Sequence, residues 1–176
     1  MSVAIGMAVP RTSPDWYGSW TTRDRRVAES FAYAPSAKHD LAAFRTRCTV
    51  VRLETVDNDV LGVARWVSFT DVWAGAGAHG SRLWRENPVI SVGEGDDPRL
   101  VLATQTPVIV FGADNHAHPY ARAVIDHIRA TCRSVLVVDM GHGLRDHAYA
   151  DVATFGYDPD RGEALIELLT AAPIAA

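Results

Sequence analysis

Two short apolar runs limit the folds open to this chain. Pro107 to Phe111 reads PVIVF, and Ser134 to Val138 reads SVLVV. Neither run alternates with polar residues, so both faces of each strand need an apolar cover. Between them, Pro119 to Thr131 has helical spacing: Tyr120, Val124 and Ile128 share a face with Ala121 and Ile125. Pro119 suits the first helical position, where its missing N–H costs nothing. Strand, helix and strand in this order call for parallel pairing through a right-handed crossover.

The same grammar extends in both directions. Downstream, Asp151 to Phe155 reads as a shorter strand. Asp158 caps a helix that starts at Pro159 and turns Leu165, Leu168 and Leu169 to the core. Upstream, VAIGMAV at 3–9 reads as a buried strand closed by Pro10. Helices are expected at about 23–33, around Val27, Ala28 and Phe31, and at 36–46, with Ser36 as N-cap and Ala37, Leu41 and Phe44 facing inward. Cys48 to Leu53 and Val89 to Val92 read as strands, and the apolar stretch 60–73 has room for one or two more. The expected fold is α/β, a three-layer sandwich with a mostly parallel sheet and helices on both faces. A single domain over 1–176 is expected, with its sharpest pattern from 100 to 172.

Composition excludes several classes. Apolar residues make up 48% and charged residues 22% of the 176, the balance of a globular protein rather than a disordered one. The net charge is -4 and no basic run exists, which argues against nucleic acid as a partner. No segment approaches the ~18 apolar residues of a membrane span, so no membrane role is expected. The start MSVAIGMAVPRT lacks a basic, long apolar leader, and a cytoplasmic location is the default expectation. Lys38 is the only lysine among 17 basic residues, a bias of GC-rich bacterial coding. Cys48 and Cys132 fit neither a disulfide framework nor a zinc spacing, and they read as small buried residues.

In open parallel sheets, ligands bind beyond the carboxyl ends of the strands. The first run exits into Gly112, Ala113, Asp114, Asn115, His116, Ala117 and His118. The second exits into Asp139, Met140, Gly141, His142 and Gly143, and then Arg145, Asp146 and His147. Four of the seven histidines fall in these two loops. A carboxylate beside an imidazole fixes its tautomer and raises its basicity. Asp114 with His116 and Asp139 with His142 are therefore the candidate catalytic pairs. Asn115, His118, Arg145 and His147 are candidate binding residues. The helix start at Pro119 adds free amides and a positive dipole end. A structural reading stands beside this one: Asp114 and Asn115 turn the chain, His118 caps the helix, and Asp139 bonds to amides of the Gly141/Gly143 turn. Zinc would accept His116, His118, His142 and Asp139, but no recognised spacing is present. No metal and no cofactor is expected.

Two other features bear on function. Gly75 to Gly80, GAGAHG, matches the dinucleotide pattern G-x-G-x-x-G literally. The SRLWRENP that follows is a poor helix broken by Pro88, so a mobile loop or lid is the better reading. Five tryptophans (16, 20, 66, 73 and 84) are many for this length. Trp16 and Trp20, with Tyr17 and Tyr33, lie in an aromatic loop-and-helix region over 10–33. They are expected in the core or at an oligomer or partner-subunit interface.

Residues 106–169 resemble the C-terminal domain of family 3 glycoside hydrolases (β-glucosidase and β-N-acetylhexosaminidase type). The motifs are Asn115-His116-Ala117-His118-Pro119 after a strand, the strand Val135 to Asp139, and Ala153-Thr154-Phe155-Gly156 ahead of the last helix. The resemblance implies that family's α/β sandwich. It carries over no catalytic residue, because the family's nucleophilic aspartate sits on a preceding TIM barrel, and ~250 residues of barrel do not fit here. Three functions follow as expectations. One is a stand-alone relative of that domain, not an ordinary glycosidase by itself, that binds a sugar-like or other polar small molecule. Another is a small acid/base enzyme (isomerase, cyclase or lyase) of bacterial specialised metabolism. The third is a structural or interaction subunit.

Overall fold

The computed structural model describes residues 22–34, 41–45, 47–55, 88–97, 99, 106–142, 147–156 and 158–170. The strand expected at 3–9, the five tryptophans, the stretch 60–73, the Gly75–Gly80 loop and Arg145 lie outside these residues.

The described part is one six-stranded sheet with helices on both faces, as expected of an α/β sandwich. In chain order the elements are α1 (Thr22–Glu29), β1 (Ala32–Tyr33), a 3-10 turn (Leu41–Arg45), β2 (Thr49–Leu53) and β3 (Val89–Val92). Then come β4 (Val108–Gly112), a 3-10 turn (Asn115–Ala117), α2 (Pro119–Thr131), β5 (Val135–Asp139), a 3-10 turn (His147–Tyr149), β6 (Val152–Ala153) and α3 (Pro159–Thr170). The sheet order is β1-β6-β5-β4-β2-β3. Every pairing is parallel except β1 with β6.

The unbroken apolar runs do what their pattern requires. All five residues of β4 are buried. Ile109 and Phe111 face one core layer, together with Leu136 and Val138 of β5 and with Leu165, Leu168 and Leu169 of α3. Val108 and Val110 face the other layer, against Ala121, Val124, Ile125 and Ile128 of α2. The period of two along a strand thus feeds two separate cores. Cys48 belongs to the first core and Cys132 to the second, and neither is in a disulfide. Burial pushes the Cys48 thiol up to about 11.

Two expected elements differ. The helix at 23–33 stops at Glu29, and Ala32 and Tyr33 form an edge strand on β6. Ser30 and Phe31 close the helix with bonds to Val27 and Ala28 carbonyls, which frees the chain to pair with the sheet. Tertiary pairing overrides the local helical period there. Near 36–46, the described part Leu41–Arg45 is a 3-10 turn, yet Leu41 and Phe44 are buried as the pattern required.

Candidate functional site

β4 and β5 run side by side in the same direction, with Gly112 opposite Asp139. Their exits therefore share one edge of the sheet. The two loops are bolted together by a single carboxylate. Asp139 is 4% exposed. Its Oδ1 accepts the amides of Asp114 (2.9 Å) and Gly141 (2.7 Å), and its Oδ2 accepts the amide of Asn115 (2.9 Å). Burial pushes this carboxyl above its usual range, against the pull of the Gly141, Asn115 and Asp114 amides, and the Asp114 carboxylate adds to the push. The Asp139 side chain is thus a clamp on backbone amides. Its candidate partner His142 is exposed.

Asp114 takes a left-handed conformation (φ 51°, ψ 43°), which turns β4 sharply into the next 3-10 turn. The turn brings Asp114 so close to Gly141 that a Cβ there would lie 2.2 Å from Asp114 Oδ1 and 2.5 Å from its amide nitrogen. Only glycine fits at that crossing. Asn115 is fully buried, and its Nδ2 donates to the carbonyls of Tyr149 (3.2 Å) and Val138 (3.5 Å). Its Oδ1 points to the opposite side and lies 1.9 Å from where a Cβ of Gly112 would be, a position 3.2 Å from Leu53 Cδ1.

His116 and His118 are half-buried. The His116 carbonyl accepts a bond from Arg122 Nη1. Asp114 and His116 form no hydrogen bond with each other among the described residues. His118 holds the N-cap position of α2 without a side-chain capping bond, so capping is not what its ring does. The ring lies edge-on to Tyr120, with centroids 6.0 Å apart. His147 opens the 3-10 turn that presents the Tyr149 carbonyl to Asn115.

The exits of β2 and β3 add residues that the sequence reading passed over. Thr55 Oγ1, just beyond β2, accepts the Ala113 amide at 2.7 Å and ties β2 to the β4 loop. Leu53 pairs with Val92, so Glu54 and Glu94 emerge on neighbouring exits. Burial, with the Glu54 and Glu94 carboxylates adding to it, pushes the Tyr120 phenol up to about 12. The strand-exit rule, applied to Cys48–Leu53 and Val89–Val92 as well, points to both glutamates.

Three buried polar atoms find no hydrogen-bond partner among the described residues: Asn115 Oδ1, His116 Nδ1 and Tyr120 Oη. All three fall within six consecutive residues on this edge. Native interiors seldom leave such groups unpaired. The described residues hold no group of three His, Cys, Asp or Glu side chains arranged to bind a metal ion. No described helix is long and apolar enough to cross a membrane.

No family model matches the chain, and no curated protein matches it by sequence. Two solved structures resemble it. One is a fungal multi-domain family 3 β-N-acetylglucosaminidase with a GCN5-related glucosamine N-acetyltransferase region. It matches at a TM-score of 0.60 and 13% identity, over 84% of this chain and 17% of that one. The other is a family 3 β-N-acetylglucosaminidase from Paenibacillus sp., at a TM-score of 0.58 and 14% identity, over 98% of this chain and 34% of that one. The chain thus spans between about a sixth and about a third of the proteins it resembles. At this identity the likeness is one of fold, and it agrees with the resemblance read from residues 106–169.

Proposed function

We propose that this α/β domain binds a polar, carbohydrate-like small molecule over the exits of β4 and β5. The observation that carries the reading is the cluster of unpaired buried polar atoms in Asn115–Tyr120. A polar ligand, directly or through water, would satisfy groups that the described residues leave open. The Asp139 clamp fixes the loop before any ligand arrives, and such preorganisation lowers the entropy cost of binding. Asp114, His116, His118 and His142 are the side chains proposed to meet the ligand, and Asp139 holds them in place. The fold shared with two β-N-acetylglucosaminidases supports a sugar-like ligand.

Binding is favoured over acid/base catalysis by one feature. The Asp139 oxygens accept three backbone amides, and Asp114 forms no hydrogen bond with His116 among the described residues, so that carboxylate–imidazole pair is not assembled. The test is calorimetric and thermal-shift titration of the full chain with neutral sugars, N-acetylglucosamine included. Saturable binding is expected, with loss in His116→Ala and Asp114→Ala and none in His127→Ala. Binding that survives both loop substitutions would remove the site, and an absence of saturable binding across the panel would remove the function.

A further inference from the structure

We infer that the site extends across the exits of β2 and β3, where Tyr120, Asn115, Glu54 and Glu94 form a subsite that selects a ligand bearing a cationic amine. The inference rests on the proposed binding at the β4 and β5 exits and adds the charge of the ligand to it.

The first ground is the direction of Asn115. Its Nδ2 must face the Tyr149 and Val138 carbonyls, since two acceptors cannot bond each other. The amide oxygen therefore faces the other way, toward Gly112 and Leu53, on the β2 side. This residue is fully buried and its Oδ1 has no partner among the described residues. An amide oxygen accepts and never donates, so only a donor can satisfy it.

The second ground is Tyr120. Its ring packs on the core layer that includes Leu53 and Val92, the last residues of β2 and β3. Its hydroxyl is buried and has no hydrogen-bond partner among the described residues. With the phenol raised to about 12, it is a neutral hydroxyl at physiological pH. It can pass a hydrogen bond on or receive one.

The third ground is the balance of charge. Both Arg52 contacts with Glu54, at 2.8 Å from Nε and 2.6 Å from Nη2, fall on Oε1, so Oε2 is open among the described residues. Glu94 is exposed, on the neighbouring exit. Arg122 is drawn to the His116 carbonyl. The start of α2 would by itself favour an anion. Against it stand the Glu94 carboxylate, the free oxygen of a Glu54 carboxylate shared with Arg52, a buried amide oxygen and a hydroxyl, all able to accept. A ligand rich in donors and positively charged matches that set, and a carboxylate ligand does not.

The test keeps one scaffold and varies its charge. Sorbitol, glucamine and gluconate carry the same polyol with a neutral, ammonium or carboxylate end. Each is titrated into the full chain by calorimetry at neutral pH. Glucamine is expected to bind about fivefold to tenfold tighter than sorbitol, and gluconate weakest. Added salt should shrink the preference. Glu94→Gln should reduce it while leaving sorbitol binding unchanged, and Tyr120→Phe should reduce it while also weakening sorbitol binding. Neither substitution should cost stability, since Glu94 is exposed and the Tyr120 hydroxyl has no partner to lose among the described residues. Equal affinity for sorbitol and glucamine, or tighter gluconate, overturns the inference and leaves the polar site standing. A preference for glucamine that both variants retain also overturns it. No binding of any of the three overturns the inference and the binding reading together.

Discussion

Replacing Asp139 tests whether one carboxylate holds the edge of the sheet together. Asp139→Ala strands three backbone donors: the amides of Gly141, Asn115 and Asp114. Each buried donor left unpaired costs about 1–3 kcal/mol. Asp114 is only half-buried, so water can reach its amide and soften its share. Gly141 and Asn115 are buried and carry the full penalty. Relief of the buried charge works in the other direction, which keeps the expected loss at about 3–5 kcal/mol. For a domain of this size that lowers the melting temperature by roughly 6–20 °C. Asp139→Asn provides the internal control. Its remaining oxygen can serve the Asp114 and Gly141 amides, while its amide nitrogen meets the Asn115 N–H, donor against donor. One bond is lost instead of three, and a cost of about 1–3 kcal/mol follows. Urea unfolding followed by circular dichroism measures both, provided the slope of the transition is unchanged. Asp139→Ala within 1 kcal/mol of the parent chain, or Asp139→Asn as damaging as alanine, would refute the clamp.

Two further outcomes follow from the same geometry. The folded chain holds a proton on Asp139 more readily than the unfolded chain, whose carboxyl stays near the ordinary 3.8. The contribution of Asp139 to stability is therefore largest at low pH and falls as pH rises from 3.8 through its raised folded value. The stability deficit of Asp139→Asn should shrink over that rise, and denaturation at several pH values would show a wrong sign as a widening gap. Gly112→Ala places a Cβ 1.9 Å from Asn115 Oδ1 and should destabilise by about 1–3 kcal/mol. Combined with Asn115→Ala, its cost should fall well below the sum of the two single changes, and an additive double-mutant cycle would contradict the contact.

Much of the frame was legible because its causes are local. Helix α2 runs from Pro119 to Thr131, as its apolar spacing and its opening proline require. The exits of β4 and β5 share an edge because two fully buried strands joined by one helix have little choice but to run parallel. Asp114, Asn115 and His116 could therefore be placed near Asp139 from the sequence. The role of Asp139 could not be chosen there. An aspartate at a strand end serves equally as a base beside an imidazole or as an acceptor for amides. The choice depends on where the Asp114 and Asn115 amides point, and the left-handed turn at Asp114 decides that. The 8-residue length of α1 was illegible for a related reason: Ala32 and Tyr33 have their partners on β6, more than a hundred residues away.

By itself, the order of residues determined which segments must be covered on both faces, and hence a layered α/β domain with histidines and aspartates at its strand ends. Periodicity and turn chemistry act over a few residues, and they are written in the chain. The folded structure alone decided which neighbour each polar group meets. Register set Gly112 against Asp139 and Leu53 against Val92. That register spent one carboxylate on backbone amides and brought Glu54 and Glu94 toward Tyr120. Hydrogen-bond partners distant in sequence depend on strand register and loop direction, and no local pattern encodes either.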